Sequence, residues 1–199
     1  STDLYALLNT PTGFLAYSAI TGDLLSIAQP ANSIDFGSAV ALLHRNKSVR
    51  AYSPLRQTIA RLPVQTSASG TSNIVAFVTA LNGQTHAFSS LTATWVAAPT
   101  ASNGNPATIS TTTVALQSPS DCYAFAARSG QFMALGNSVQ ALVCNSTSAP
   151  MLSYDGNHLA AFDTDSERWL IRPRTGSAPP VFAIWRSSAL VIDGPTALG

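Results

Sequence analysis

Charge is the scarcest property of this chain. Only 10% of its 199 residues are charged, the formal balance is +1, and it has one lysine (Lys47) and one glutamate (Glu167). With so few cations there is no basic face to neutralise phosphates, which argues against nucleic acid as a partner. Long apolar runs are also missing. None reaches the roughly 18–20 residues that cross a bilayer as a helix. The chain starts at Ser1 with neither methionine nor a signal-like stretch, the form expected of a processed or trimmed protein. Its surface is left to Ser, Thr, Asn, Gln, Pro and Gly, which suits a secreted, extracellular protein. Two N-x-S/T acceptors, at Asn46 and Asn145, fit that setting.

Sustained helical periodicity is absent as well, and a repeat stands in its place. A pair of short apolar strands with a turn between them recurs about six times. The first strands read DLYALL (3–8), SAVALLH (38–44), NIVAFV (73–78), DCYAFA (121–126), PMLSYD (150–155) and PVFAIW (180–185). The second read FLAYS (14–18), VRAYS (49–53), THAFS (85–89), FMALG (132–136), LAAFD (159–163) and ALVID (189–193). A small residue marks the first series at Ala6, Ala41, Ala76, Ala124, Ser153 and Ala183, in steps of 35, 35, 48, 29 and 30. Its counterparts Ala16, Ala51, Ala87, Ala134, Ala161 and Val191 step by 35, 36, 47, 27 and 30. The two series stretch and shrink together, as insertions between whole units require.

The turns inside the pairs carry hairpin chemistry, including Thr12-Gly13, Asn82-Gly83, Ser129-Gly130 and Asp155-Gly156. Asn-Gly and Asp-Gly between apolar runs point to type I′ turns, whose two central residues need positive φ. A third apolar strand follows most units: DLLSIA (23–28), TIARLPV (58–64), ATWVAAP (93–99), QALVCN (140–145) and RWLIRP (168–173). Residues 100–120 supply either an extra strand or a surface loop.

These features predict one all-β domain over 1–199, with units near 3–28, 38–64, 73–99, 121–145, 150–173 and 180–194. Small antiparallel sheets of this size suit a six-bladed β-propeller, in which each alanine lets one blade approach the next while a neighbouring aromatic fills the gap. A β-trefoil or a jelly roll is the alternative. Cys122 and Cys144 fall in the first and third strands of one unit, about 9–10 Å apart. A disulfide needs Cα atoms within about 7 Å, so two buried thiols are favoured over a bridge.

The second unit, SAVALLHRNKSVRAYSPLRQTIARL (38–62), resembles a blade of the six-bladed fucose-binding lectins of fungi and bacteria. Those blades pair an "IAA"-type strand with an "IRVY"-type strand, then carry a glutamate and a tryptophan. VAL, VRAY and TIARL stand for the three strands here, and the resemblance makes Arg50 the sugar-binding arginine. Arg61 occupies the place of the glutamate, which removes the carboxylate of the sugar-gripping pair. The positions equivalent to Arg50 hold Leu15, His86, Met133, Ala160 and Leu190. The repeat length is similar to that of tectonin-type lectins, without their tryptophan-glycine pattern.

Sugar recognition needs an aromatic face and planar hydrogen-bonding groups. Trp95 and Trp169 open the third strand of their units, and Trp185 ends a first strand. Arg50 and His86 sit at equivalent places, Arg168 and Arg172 flank Trp169, and Arg186 follows Trp185. The ligand-binding candidates are therefore Arg50, His86, Trp95, Trp169, Arg172 and Trp185, each weighed against plain packing or a solvated rim. Asp3 and Asp121 precede first strands and form the candidate pair for glycoside hydrolysis, with turn capping as the simpler role. Asp163 to Glu167 reads as a solvated turn rather than a calcium loop. His44, His86 and His158 lack zinc-like spacing, no G-x-S-x-G elbow is present, and no cofactor is implied. The function these features suggest is a non-enzymatic lectin for glycans or glycoproteins, and they admit a homo-oligomer. A structural coat domain and a glycoside hydrolase are the alternatives.

Overall fold

The computed structural model describes residues 4–101, 107–136, 141–143, 151–185, 188–193 and 196–198. All of its regular structure is β, arranged as six small antiparallel sheets. The first holds β1 (Tyr5–Asn9), β2 (Phe14–Ser18) and β3 (Leu24–Ile27). The second holds β4 (Ser33–Phe36), β5 (Ala41–Arg45), β6 (Ser48–Ser53) and β7 (Thr58–Leu62). The third holds β8 (Thr66–Thr71), β9 (Val75–Ala80), β10 (Thr85–Ser89) and β11 (Thr94–Ala97). The fourth contains β12 (Thr108–Ile109), β13 (Thr113–Gln117), β14 (Cys122–Ala126) and β15 (Gln131–Ala134). The fifth is β16 (Ala141–Val143), β17 (Met151–Tyr154), β18 (His158–Asp163) and β19 (Arg168–Pro173). The sixth is β20 (Val181–Trp185), β21 (Ser188–Asp193) and β22 (Thr196–Leu198).

Each sheet is a meander of strands consecutive in sequence, unlike a jelly roll, whose strands cross between two sheets. Successive sheets stack on one another. Tyr5, Phe14 and Ala16 of the first share a core with Leu43 and Tyr52 of the second. Val49 and Ala51 of the second meet Val78 and Phe88 of the third. Ala87 packs with Phe125 between the third and fourth sheets, and Ala124 with Phe162 between the fourth and fifth. The rule is the same at each step. A fully buried alanine on one sheet leaves room for the aromatic that the next sheet presents. Backbones close up too: a Cβ on Gly37 would lie 1.9 Å from the Ser72 carbonyl oxygen.

The frame of the repeat shifts by one strand in the fourth unit. DCYAFA is β14, which occupies the place that VRAYS and THAFS hold as β6 and β10, and its partner on the other side is TVALQ, β13. QALVCN is not the third strand of that unit, because Ala141–Val143 pairs with β17 and opens the fifth sheet. With the frame corrected, the equivalent second-strand positions are Ala16, Ala51, Ala87, Ala124, Ala161 and Val191, of which the first four are fully buried. They step by 35, 36, 37, 37 and 30 residues. The uneven steps read from sequence came from counting a second strand, β14, as a first and a third strand, β15, as a second. The segment 100–120 supplies β12 and β13.

Asn82-Gly83 does not form a type I′ turn. Gly83 has φ +82° while Asn82 is not among the positive-φ residues, and Ala80 N–H bonds the Gln84 carbonyl. That is a three-residue loop ending in a left-handed glycine. Cys122 is buried and free, and Cys144 and Asn145 lie outside the described residues.

Candidate ligand cleft

The second and third sheets part at one end to leave a cleft of about 680 Å³. The β4–β5 hairpin supplies one wall, with Asn32, Asp35, His44, Arg45 and Asn46. The start of β8 supplies the other, with Thr66, Ser67 and Ser69, and Leu81 lies at the rim. Register explains the grouping. Ser33 pairs with His44, so Asp35 and His44 are diagonal neighbours on the face turned toward the third sheet. A bulge between Thr66 and Ala68 breaks the ladder of β8 and redirects its serines. Ser67 turns its hydroxyl to the Thr79 carbonyl at 3.0 Å, while Ser69 reaches into the cleft.

Asp35 is the hub. Its Oδ2 lies 2.8 Å from His44 Nε2 and accepts from Ser69 Oγ at 2.9 Å. Both contacts use the same oxygen, so Oδ1 has no protein donor among the described residues. Nearby, Asn32 Nδ2 donates to Asn46 Oδ1 at 2.5 Å. The rim carries one large apolar side chain, Leu81, which is 65% exposed. This is an array of fixed donors and acceptors that water or a ligand hydroxyl can complete.

The same geometry bears on catalysis. Ser69 and His44 both bond Asp35 and not each other, so no base is set to activate the serine. Asp35 is the single carboxylate lining the cleft among the described residues, whereas glycoside hydrolysis uses two. Among the described residues, no group of three or more His, Cys, Asp or Glu is placed to hold a metal. Asp121 accepts from the amides of Cys122 at 2.7 Å and Gly136 at 2.9 Å, the geometry of a turn cap. It precedes β14 rather than a first strand, so its match to Asp3 does not hold, and Asp3 lies outside the described residues. The Asp163–Glu167 turn docks on its neighbour: Glu167 accepts from the amides of Arg128 and Ser129 at 2.6 and 3.0 Å.

The five candidates whose side chains are described do not form one site, although His86 and Trp95 are diagonal neighbours on one face of β10 and β11. Arg50 looks from β6 toward the first sheet, and its guanidinium donates to the Gln29 side chain. His86 is half-buried on β10 and faces the second sheet, where burial pushes its pKa down. With the corrected frame its counterpart in the fourth sheet is Tyr123, not Met133. Trp95 packs on Phe88, rings 5.3 Å apart, and donates its indole N–H to the Ala60 carbonyl at 3.1 Å. Trp169 repeats this arrangement against Phe162 at 5.3 Å, with its N–H on Met133 O at 3.0 Å. Arg172 projects from the opposite face of β19 to Trp169 and is exposed. Trp185 ends β20 opposite Ser188, and its side chain lies outside the described residues.

Sequence reading missed Asp35 and Ser69. Both sit on outer strands, SIDF and TSASGT, that are too polar to count as core strands. Their only signal was position, just ahead of each recognised pair.

No protein-family model matches the sequence, and no curated protein matches it. Among solved structures the chain is similar to Hsv2p of Kluyveromyces lactis, at 12% identity over 97% of this chain and 69% of that one, with a TM-score of 0.41. Human WBSCR16 is matched at 8% identity over 83% and 61%, TM-score 0.42. The computationally designed Ika8 protein is matched at 10% over 97% and 66%, TM-score 0.36. The chain thus spans about two thirds of the length of these proteins. None of these matches is to a fucose-binding lectin.

Proposed function

We propose that this protein is a non-enzymatic carbohydrate-binding protein built on a six-bladed propeller plan, with glycans or glycoproteins outside the cell as its ligands. The observation that carries this reading is the Asp35 hub: a carboxylate fixed by His44 and Ser69, with one oxygen left open, in a cleft walled by amides and hydroxyls. A pyranose presents vicinal hydroxyls, each both donor and acceptor, and such a wall meets them from both sides. Leu81 offers an apolar contact for the ring's C–H face. Stacked repeats favour several shallow sites, and linked weak sites gain by avidity.

A glycan array on the purified protein, with competition by free sugar, tests this. Competable binding that falls at least about 10-fold in Asp35→Asn, with the fold intact, is the expected result. A blank array on protein shown to be folded sinks the proposal. If that protein also self-associates, the reading passes to an assembly role.

A further inference from the structure

Three arginines converge on the face of the second sheet that looks toward the first. Arg50 on β6 stands directly opposite Arg61 on β7, and Arg45 on β5 is its diagonal neighbour. Arg45 and Arg50 donate to a single acceptor, the side-chain oxygen of Gln29. In a chain with 10 lysines and arginines, three in one patch is a concentration of charge. Among the described residues no carboxylate pairs with it. The arginine–carboxylate pairs among the described residues are Arg128–Asp165 and Arg174–Asp193, and neither involves these three arginines. An amide oxygen satisfies donors without neutralising their charge. The repulsion registers in Arg50, whose pKa is pushed down by partial burial and by the charges of Arg45 and Arg61. The patch is open to a ligand, since Arg61 is exposed and the other two are only part-buried.

We infer that Arg45, Arg50 and Arg61 form an oxyanion site, and that it takes the carboxylate or sulfate of an acidic saccharide. Guanidinium groups bind both anions through paired N–H donors, and removal of the mutual repulsion adds to the gain. Arg45 joins this patch to the cleft, because it also lines the wall beside His44 and Asn46. A sugar held at Asp35 and an acidic group held at the arginines then belong to one ligand. The saccharide part of this inference rests on the carbohydrate reading above, and the anion part stands without it.

Calorimetric titration with three probes separates the two. The probes are a uronic-acid oligosaccharide, its carboxyl-reduced neutral counterpart and sodium sulfate, each against the native chain and Arg61→Gln. The acidic oligosaccharide should bind about 10-fold tighter than the neutral one at low salt, with the advantage fading as salt rises. Arg61→Gln should remove most of that advantage and leave neutral binding unchanged. Equal affinity for the acidic and neutral forms overturns the anion site and leaves the cleft reading standing. Sulfate binding that Arg61→Gln abolishes, with no saccharide bound, keeps the anion site and overturns the saccharide. No response to any probe by folded protein overturns both.

Discussion

Ser53 on the second sheet donates its hydroxyl to the Ser90 carbonyl of the third, 2.7 Å away, and its oxygen receives the Ser90 hydroxyl at 2.8 Å. The contact is one link of a series. Ser18 donates to the Pro54 carbonyl at 2.8 Å and Ser89 to that of Ala127 at 2.5 Å, so each sheet holds the same turn of the next. Ala126 has no donor to continue the pattern, and there the Glu167 carboxylate reaches back to the fourth sheet. Ser53 and Ser90 are fully buried, so Ser53→Ala leaves polar groups without a partner. We expect a loss of about 1–3 kcal/mol in urea unfolding. A change under about 0.5 kcal/mol would show that the link carries no weight.

Trp95 is bound by packing, and its substitution separates structure from recognition. Trp95→Phe keeps the ring against Phe88 and removes the N–H that meets Ala60. Stability should fall by about 1–2 kcal/mol, with glycan affinity unchanged. The reverse pattern, intact stability with lost binding, would make Trp95 a ligand platform.

Asp193 predicts an acid limb. It is fully buried and meets Arg174 Nε at 3.1 Å and the Thr175 amide at 2.7 Å. Burial alone would raise its pKa. The Thr175 and Gly176 amides and the Arg174 charge outweigh that, and the carboxyl titrates below its ordinary value. The unfolded chain therefore takes up the proton first as pH falls. The stability from this group is whole above about pH 4 and drains away as pH drops through the folded value. Asp193→Asn should lower the thermal midpoint at pH 7 by several degrees and flatten the decline below pH 4. A variant that tracks the native chain at every pH refutes this account.

Cys122 should be inert. Burial pushes its thiol up to about 12, and the charge of Asp121 adds to the shift. At pH 8 it stays protonated and out of reach. Mass spectrometry of the Cys122 peptide should show no alkylation in the native state and rapid alkylation in urea. Native labelling at the urea rate would contradict the burial.

The central strands were legible because their physics is local. Alternation, small-then-aromatic pairs and turn residues marked β5, β6, β9 and β10 to within three residues of their observed ends. The fourth unit misled because Cys122–Ala126 satisfies the pattern of either central strand, and its true partner lies in a Ser/Thr-rich stretch. Equal spacing would have resolved it, since placing Ala124 after Ala87 restores a step of 37. The cleft was illegible for a different reason. Asp35 and Ser69 are 34 residues apart and meet only because two sheets stack. Likewise Arg45, Arg50 and Arg61 become one patch only through strand register.

The serine links have a mechanical consequence. From the first sheet to the fifth, these hydrogen bonds each join a sheet to its sequence neighbour. Tension applied between the first and fifth sheets would then load these seams in series, like coaches on a coupled train. The weakest coupling would part first and leave the sheets on either side intact. The seam between the fourth and fifth sheets, where exposed Arg128, Asp165 and Glu167 contacts replace a buried serine, is where the extension trace should show its first step.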